Sequence, residues 1–168
     1  MKEVVYKGKI GTIEKEEFKA EGVKFLIERV KGPDAVVISA FLNKNTILLE
    51  RIYRPVIKKY IYELPAGKVD EKEGRKHAAE RELREETGYI ARNMKFLSSG
   101  YVSPGTNVQM YHFYKATKLI KSRQQLSKSE IIKIMPIKLT DALKMIKSSR
   151  IIDAKTIAGI LFIAQDIK

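Results

Sequence analysis

Three glutamates in one short acidic segment have the spacing of a metal-binding site. Glu82, Glu85 and Glu86 stand at positions i, i+3 and i+4, so on a helix their carboxylates share one face. Like charges at these spacings repel one another, although this lysine-rich chain could have paired them. Convergent carboxylates call for a cation, and hard oxygen ligands favour Mg²⁺ or Mn²⁺. An exposed helix with salt bridges is the alternative interpretation.

The residues between these glutamates fit a supporting role. Arg81 precedes Glu85 by four residues, close enough on a helix to orient that carboxylate. Glu80 and Arg84 are predicted to pair on the outer face. The small Ala78 and Ala79, one turn earlier, allow another element or a ligand to approach closely.

A longer pattern surrounds the acidic segment and is far more specific than the charges alone. It fixes the following positions between residues 67 and 89: Gly67, Glu73, Arg81, Glu82, Leu83, Glu85, Glu86 and Gly88. This spacing resembles the signature box of the Nudix hydrolases. The chain departs from that pattern at Tyr89, where the family usually has an aliphatic residue.

The resemblance implies an enzyme that hydrolyses a nucleoside diphosphate linked to another group, with Mg²⁺ as cofactor and Mn²⁺ able to substitute. By position, Glu82, Glu86 and the Ala66 carbonyl would be metal ligands. Glu85 would be a further ligand or the catalytic base. Arg81 would belong to the catalytic set, paired with Glu73.

Three segments outside the box resemble the ADP-ribose pyrophosphatase branch of the family. They are residues 51–55, residues 63–67 and the loop Ser103-Pro104-Gly105, whose proline follows Tyr89 by fifteen residues. The resemblance implies that Arg54 contacts phosphate or ribose, and the planar fork of arginine suits such oxyanions. Glu63 would bind a base or ribose hydroxyl, and Pro104 with Gly105 would form a specificity loop. Each of these residues has a structural alternative: surface arginine, structural acid and loop-shaping proline.

The polar loop at residues 122–129 departs from the branch, which commonly has an acidic cluster there. Gln124 and Gln125 replace the expected acids, so the base is either Glu130 or Glu85, with Glu130 slightly favoured. The length and polarity of the loop predict a mobile lid. The two histidines of the chain are predicted to be exposed or structural, and no Ser-His-Asp arrangement is indicated.

The predicted reaction cleaves ADP-ribose, or a close ADP-sugar, to AMP and a sugar 5-phosphate. Within the class, NADH, other nucleoside diphosphate sugars and nucleoside triphosphates remain alternatives. A nucleotide- or nucleic-acid-binding module is the alternative from another class. The three-carboxylate cluster argues against that module, so no nucleic-acid partner is expected.

Composition limits the function further. The chain has 168 residues, a formal net charge of +13 and no cysteine, which excludes disulfides, thiolate metal sites and a cysteine nucleophile. The positive charge indicates an anionic partner or simply solubility. No apolar run approaches the ~20 residues of a membrane span, so a cytoplasmic protein without a membrane partner is expected.

The elements that must position these residues follow from hydrophobic periodicity. Strands are predicted in residues 4–30, with a boundary at the turn 32–34. A hairpin of 35–42 with 46–53 and a strand at 60–64 come next. The helix is predicted at 74–87, ended by Gly88. The later elements are strands at 94–102, 108–116 and 131–136 and helices at 141–147 and 154–167.

The predicted fold class is α+β, a Nudix-type α/β/α sandwich with a mixed β-sheet. Residues 1–32 are predicted to be an N-terminal antiparallel β extension, and residues 33–168 the hydrolase domain. In the ADP-ribose branch such an extension usually builds a homodimer, so a homodimer is expected here. Adenine would then stack near the subunit boundary, with the stacking residue left open between Phe25 and Tyr6.

Overall fold

A computed structural model describes residues 2–9 and 11–165 of the chain. Its strands, in chain order, are β1 Lys2–Gly8, β2 Gly11–Ala20, β3 Val23–Lys31, β4 Ala35–Ala40, β5 Thr46–Arg54, β6 Lys59–Glu63, β7 Ala66–Lys68, β8 Tyr89–Tyr101, β9 Met110–Lys121 and β10 Ile132–Lys138. Its helices are α1 Arg75–Thr87, α2 Leu139–Lys147 and α3 Ala154–Ala164.

The strands form three sheets, and the central one is mixed. The four-stranded sheet has the order β7-β4-β9-β8, in which β4 and β9 are parallel and the other pairs antiparallel. A second sheet has the order β10-β5-β6. The N-terminal strands form a separate antiparallel sheet, β1-β2-β3, so the predicted β extension is present.

Strand β4 shows why the body of the protein is a sandwich. Side chains alternate between the two faces of a strand, yet every residue of β4 is buried. Val36 and Ile38 pack in one core cluster with Ala78 and Leu83 of α1. Val37 packs in the other cluster, which contains residues of α2 and α3. The predicted α/β/α layering with a mixed sheet is therefore confirmed.

The predicted hairpin of residues 35–42 and 46–53 is wrong. Its two strands, β4 and β5, lie in different sheets. In the connection after β4, Phe41 forms an isolated bridge with Ile47, and the Leu42 N–H donates to the Thr46 carbonyl. The chain does turn between β4 and β5, as the Leu42–Thr46 hydrogen bond shows. The predicted pairing of the two strands is wrong because β4 pairs with β7 and β9, which are distant in sequence.

Two other boundaries differ from the prediction. Strands β8 and β9 are longer than expected. They pair along their length: Tyr89 lies opposite Lys121 at one end and Tyr101 opposite Met110 at the other, with a bulge between Phe96 and Ser98. Helix α3 is described to Ala164, and the last part of its predicted range lies outside the described residues. Among the described residues, no helix is long and apolar enough to cross a membrane.

Candidate metal and substrate site

Helix α1 begins after Gly74 and ends at Gly88, as its composition predicts. Gly88 has φ 71°, and its N–H donates to the Arg84 carbonyl at 2.9 Å. This left-handed conformation is one that glycine adopts most easily. A Cβ at Gly88 would also lie 3.0 Å from the Gln124 backbone nitrogen, so the glycine lets the loop after β9 approach the end of the helix.

Glu82 lies against strand β7 and is held by Arg81. A Cβ placed on Gly67 would fall 2.0 Å from the Glu82 carboxyl carbon, so the carboxylate occupies the space that a side chain at Gly67 would fill. The Arg81 guanidinium donates to Glu82 Oε1 at 2.7 Å. The glycine of the box therefore allows the direct contact between β7 and the carboxylate of α1.

Glu86 is nearly buried beside the chain segment that leads into β7. The Ala66 N–H donates to Glu86 Oε2 at 2.9 Å, and Glu86 is 6% exposed. The packing of α1 on β7 thus places the Glu82 and Glu86 carboxylates beside the backbone of Ala66 and Gly67.

Arg81 organises the acidic residues around it. Its guanidinium donates two hydrogen bonds to Glu73, both at 2.9 Å, one to the Lys68 carbonyl at 2.9 Å and one to Glu85 at 3.3 Å. The predicted Arg81–Glu73 and Arg81–Glu85 contacts are both present. On the outer face, Glu80 lies 3.8 Å from the Lys76 ammonium, in place of the predicted pairing with Arg84.

Burial and mutual repulsion make this cluster electrostatically unfavourable. Burial, followed by the charges of Glu50 and Glu82, raises the pKa of Glu86 well above its usual range. Burial also raises the pKa of Glu82, against the opposing effect of Arg81. Burial and the Glu63 charge raise the pKa of Glu50, on β5, to about 8. Such a set of carboxylates is suited to a hard divalent cation.

The carboxylates are held by protein partners in this arrangement. Within residues 2–9 and 11–165, no three His, Cys, Asp or Glu side chains are gathered at metal-ligand spacing. Glu82 instead accepts a hydrogen bond from Arg81, and Glu86 accepts one from the Ala66 N–H. Their oxygen chemistry, burial and repulsion nonetheless fit a divalent ion, which Glu82, Glu86 and the Ala66 carbonyl would hold.

A cleft of about 620 Å³ adjoins the cluster at Ala66 and Gly67. Arg54 and Glu63 line it and form a two-pronged ion pair, with N–O distances of 2.6 and 2.7 Å. Lys155 also lines the cleft and bonds both Glu63 and Asp153. Glu63 therefore positions Arg54, a partnership that the sequence analysis did not predict.

The other predicted substrate residues lie outside this lining. Pro104 and Gly105 are exposed in the loop between β8 and β9, which is joined to the N-terminal sheet by the Val30 N–H donating to the Thr106 carbonyl. Glu130 is exposed and accepts from the Ser127 N–H. Its charge contributes to the raised pKa values of Glu82 and Glu86, so it lies near the cluster without a direct bond to it.

The loop after β9 is bonded to the C-terminal end of α1, which the sequence does not predict. The Gln125 N–H donates to the Glu85 carbonyl at 2.8 Å, and the Gln124 amide donates to the Glu86 carbonyl at 2.5 Å. These glutamines satisfy carbonyls at the end of α1, which otherwise lack partners. The first half of the loop that was predicted to be a mobile lid is therefore bonded to the C-terminal end of α1.

Ser99, His112 and Asp34 are linked by hydrogen bonds through the buried histidine, although the sequence indicated no Ser-His-Asp arrangement. His112 is fully buried, with Nδ1 2.6 Å from Ser99 Oγ and Nε2 2.9 Å from Asp34 Oδ2. Asp34 also accepts from the Met110 N–H. These hydrogen bonds connect β8 and β9 to Asp34, the residue that precedes β4. Contacts between residues 13 and 78 positions apart give no local sequence signal.

Comparison with known proteins agrees with this geometry. A family model described as NUDIX domain matches residues 31–158. The chain is 32% identical over 165 residues to an ADP-ribose pyrophosphatase of Bacillus subtilis, covering 96% of this chain and 89% of the relative. The chain therefore belongs to the Nudix family of hydrolases, and hydrolases of this family generally need a divalent metal ion.

Relatives with other names also match. A methanol dehydrogenase activator of Bacillus methanolicus is 37% identical over 81% of this chain and 75% of its own length. A GDP-mannose pyrophosphatase of Citrobacter koseri is 29% identical over 76% of this chain and 71% of its own length. A crystal structure of an ADP compounds hydrolase superposes with a TM-score of 0.86, at 21% identity over 98% and 90% of the two chains. This structural likeness shows the fold.

Proposed function

We propose that the protein is a Mg²⁺-dependent pyrophosphohydrolase that cleaves ADP-ribose, or a close ADP-sugar, to AMP and a sugar 5-phosphate. The observation that carries the proposal is the position of the Arg54-lined cleft directly beside the Ala66, Glu82 and Glu86 cluster. The similarity to an ADP-ribose pyrophosphatase over nearly the whole chain supports the same substrate.

In this mechanism the acidic residues and the cleft have separate tasks. Glu82, Glu86 and the Ala66 carbonyl hold the cation, with Glu85 as a further candidate ligand. The bound ion would neutralise pyrophosphate charge and help to activate the attacking water. Arg81 keeps Glu82 and Glu85 oriented. Arg54, two-fifths exposed in the cleft, binds phosphate or ribose oxygens while Glu63 fixes its fork.

The catalytic base is proposed to be Glu130, with Glu85 as the alternative. Glu130 is exposed and its charge reaches the cluster, whereas Glu85 is bonded to Arg81. Removing a positioned base lowers turnover by about 10²–10⁴-fold. Rates of the Glu130→Gln and Glu85→Gln variants, measured across pH, distinguish the two. The base variant loses the acidic limb of the pH–rate profile, and the other variant keeps it.

Arg54 is tested by its effect on substrate affinity. Arg54→Ala is expected to raise KM for ADP-ribose at least about tenfold, since a charge-assisted bond to phosphate is lost. Arg54→Lys keeps the charge without the fork and should recover part of the affinity. Arg51→Ala, which removes an exposed arginine from the same strand, is the matched control. An unchanged KM for Arg54→Ala would remove this residue from the substrate site.

GDP-mannose is the second candidate substrate, favoured by the Citrobacter koseri relative. A panel of ADP-ribose, GDP-mannose, NADH, ATP and 8-oxo-dGTP, assayed with Mg²⁺, separates the possibilities by kcat/KM. Preference for ADP-ribose supports the proposal. Preference for another compound would leave the proposed metal-binding role of α1 in place. It would overturn the assignments of Arg54 and of the Pro104–Gly105 loop to the substrate. No turnover of any compound would favour a nucleotide-binding module.

We also propose that the protein is a homodimer assembled through the N-terminal sheet of residues 1–32. This sheet exposes many apolar side chains for a soluble protein, among them Tyr6, Phe25 and Leu26, at 58%, 41% and 63% exposure. The loop carrying Pro104 and Gly105 adjoins this sheet at Val30. A partner subunit docked there would bring that loop close to the subunit boundary.

A further inference from the structure

Strand β5 carries a buried carboxylate, Glu50, one of whose oxygens lacks a hydrogen-bond partner among the described residues. Glu50 is 1% exposed. Among the residues that the structure describes, its Oε1 atom is the buried side-chain oxygen or nitrogen without a hydrogen-bond partner. Burying an unpaired polar atom is unfavourable, and natural proteins rarely tolerate it without a compensating role.

Glu50 lies on the face of β5 that packs against helix α1. Side chains of a strand alternate, so Glu50 shares a face of β5 with Leu48. Leu48 packs in the core cluster that contains Ala78 and Leu83 of α1. Glu86 follows Leu83 by three residues, so it lies about one turn further along the same side of α1. The side chains of Glu50 and Glu86 are therefore both directed into the space between β5 and α1, and the charge of Glu50 contributes to the raised pKa of Glu86.

The nearby cations of the protein are bonded to other acids. Arg54 donates through two nitrogens to Glu63, and Lys155 bonds Glu63 and Asp153. Both cations ease the charge on Glu50, but burial and the Glu63 charge outweigh them. Among the described residues these cations are bonded to other acids, so a divalent ion that displaces the proton of Glu50 could pair with its carboxylate.

We propose that Glu50 of β5 is an additional ligand of the divalent cation that Glu82 and Glu86 would hold. This inference rests on the proposed metal-dependent function and extends the ligand set beyond residues 66–86. The ligand set would then include carboxylates from both β5 and α1.

Nothing in the local sequence marks Glu50 as a ligand. It follows two leucines in the apolar run of β5, outside the acidic segment, and its neighbour Arg51 is exposed. Only the packing of β5 against α1 brings Glu50 to Glu86. The role therefore depends on the tertiary structure.

Direct titration of the metal-free protein with Mn²⁺, followed by electron paramagnetic resonance of the free ion, tests the inference without an activity measurement. Glu50→Gln and Glu50→Leu are expected to weaken Mn²⁺ binding at least about tenfold, as loss of a metal-site residue does. Glu86→Gln is the positive control. Glu80→Gln removes a charge from the outer face of α1 and is expected to leave the affinity within about twofold of wild type.

Thermal unfolding separates a ligand from a structural acid. Without metal, both Glu50 variants should be at least as stable as wild type, because an unpaired buried carboxylate has been removed. With Mn²⁺, wild type should gain more stability than the variants, since a ligand stabilises the state that binds it. Lower stability of Glu50→Gln without metal, at unchanged Mn²⁺ affinity, would assign Glu50 a structural role and overturn the inference.

The outcomes also distinguish this inference from the proposed function. If Glu86→Gln loses Mn²⁺ while both Glu50 variants bind it as wild type does, the Glu50 inference fails and the metal site stands. If wild type binds no Mn²⁺, both fail. Weakened binding in the Glu50 variants and in Glu86→Gln supports both.

Discussion

At the scale of single residues, the cluster is shaped by contacts that a helical wheel cannot show. The wheel places Glu82, Glu85 and Glu86 on one face. The structure adds that Glu82 touches Gly67, that Glu86 accepts from the Ala66 N–H and that Glu85 is bonded to Arg81. Each glutamate thus has a different environment, which is why their roles in the proposed mechanism differ.

Gly67 gives a prediction at this scale. In Gly67→Ala the new methyl group would fall 2.0 Å from the Glu82 carboxyl carbon, so the flexible Glu82 side chain must move. We expect turnover to fall at least about tenfold, since displacement of a catalytic group by about 1 Å can cost 10²-fold. Circular dichroism should show a folded protein.

Gly100→Ala is the control for that substitution, because a Cβ there meets no atom within 4 Å. Equal turnover of Gly67→Ala and Gly100→Ala would show that the contact between β7 and Glu82 is not needed for activity.

Glu63 gives a prediction about acid stability. Burial raises the pKa of Glu63, but hydrogen bonds from Arg54 and attraction to Lys155 outweigh it, and the folded-state pKa is lowered. The unfolded chain therefore takes up the proton first, at about pH 4.3. The stabilisation is present above that pH and is lost as the pH falls through the lower folded-state pKa.

Urea unfolding between pH 6 and pH 3 measures this effect. Wild type should lose more free energy of unfolding over that range than Glu63→Gln, which has no carboxyl group at this position. Glu80→Gln, at a partly exposed position on the outer face of α1, should follow the wild-type curve. Parallel curves for wild type and Glu63→Gln would contradict the role of the Arg54–Glu63–Lys155 cluster.

At the scale of elements, local signals predicted α1 well and the strand pairing poorly. Helix formers and Gly88 place the ends of α1 within a residue of those observed. The β4–β5 hairpin failed because short apolar runs joined by a turn look alike whether they pair in one sheet or separate into two. The partners of β4 are set by burial of both its faces, which is a property of the assembled layers.

The candidate site divides in the same way. The box residues could be predicted because their spacing is local and specific. The Arg54–Glu63 pair, the glutamines that bond the end of α1 and the unpaired Glu50 depend on contacts across strands or loops. Pro104 and Gly105 were selected by resemblance, and the described cleft does not include them.

At the scale of the whole molecule, the N-terminal sheet is the feature that a monomer explains least well. Phe18 and Phe25 stack with their ring centroids 5.3 Å apart, yet both remain about 40% exposed. Leu26 beside them is 63% exposed. Burial of such apolar surface stabilises association by about 25 cal/mol per Å² before the costs of association.

Leu26→Lys is therefore expected to weaken the proposed homodimer. A lysine there would be buried without a partner in the interface, whereas in a monomer it would be solvated. Light scattering after size exclusion should show a dimer for wild type and a larger monomer fraction for the variant. Leu161→Lys, an exposed apolar position on α3, is the control. A monomeric wild type would contradict the assigned role of the N-terminal sheet.

The proposed metal site and its adjoining cleft imply that the protein cleaves ADP-ribose only when a divalent metal ion is present. Release of AMP and ribose 5-phosphate from ADP-ribose is followed for wild type and Glu86→Gln with Mg²⁺, after chelation, and after Mg²⁺ is restored. We predict turnover by wild type that stops with chelator and returns with Mg²⁺, and a loss of several orders of magnitude in folded Glu86→Gln. Turnover that survives chelation, or near-normal turnover by Glu86→Gln, would contradict the account.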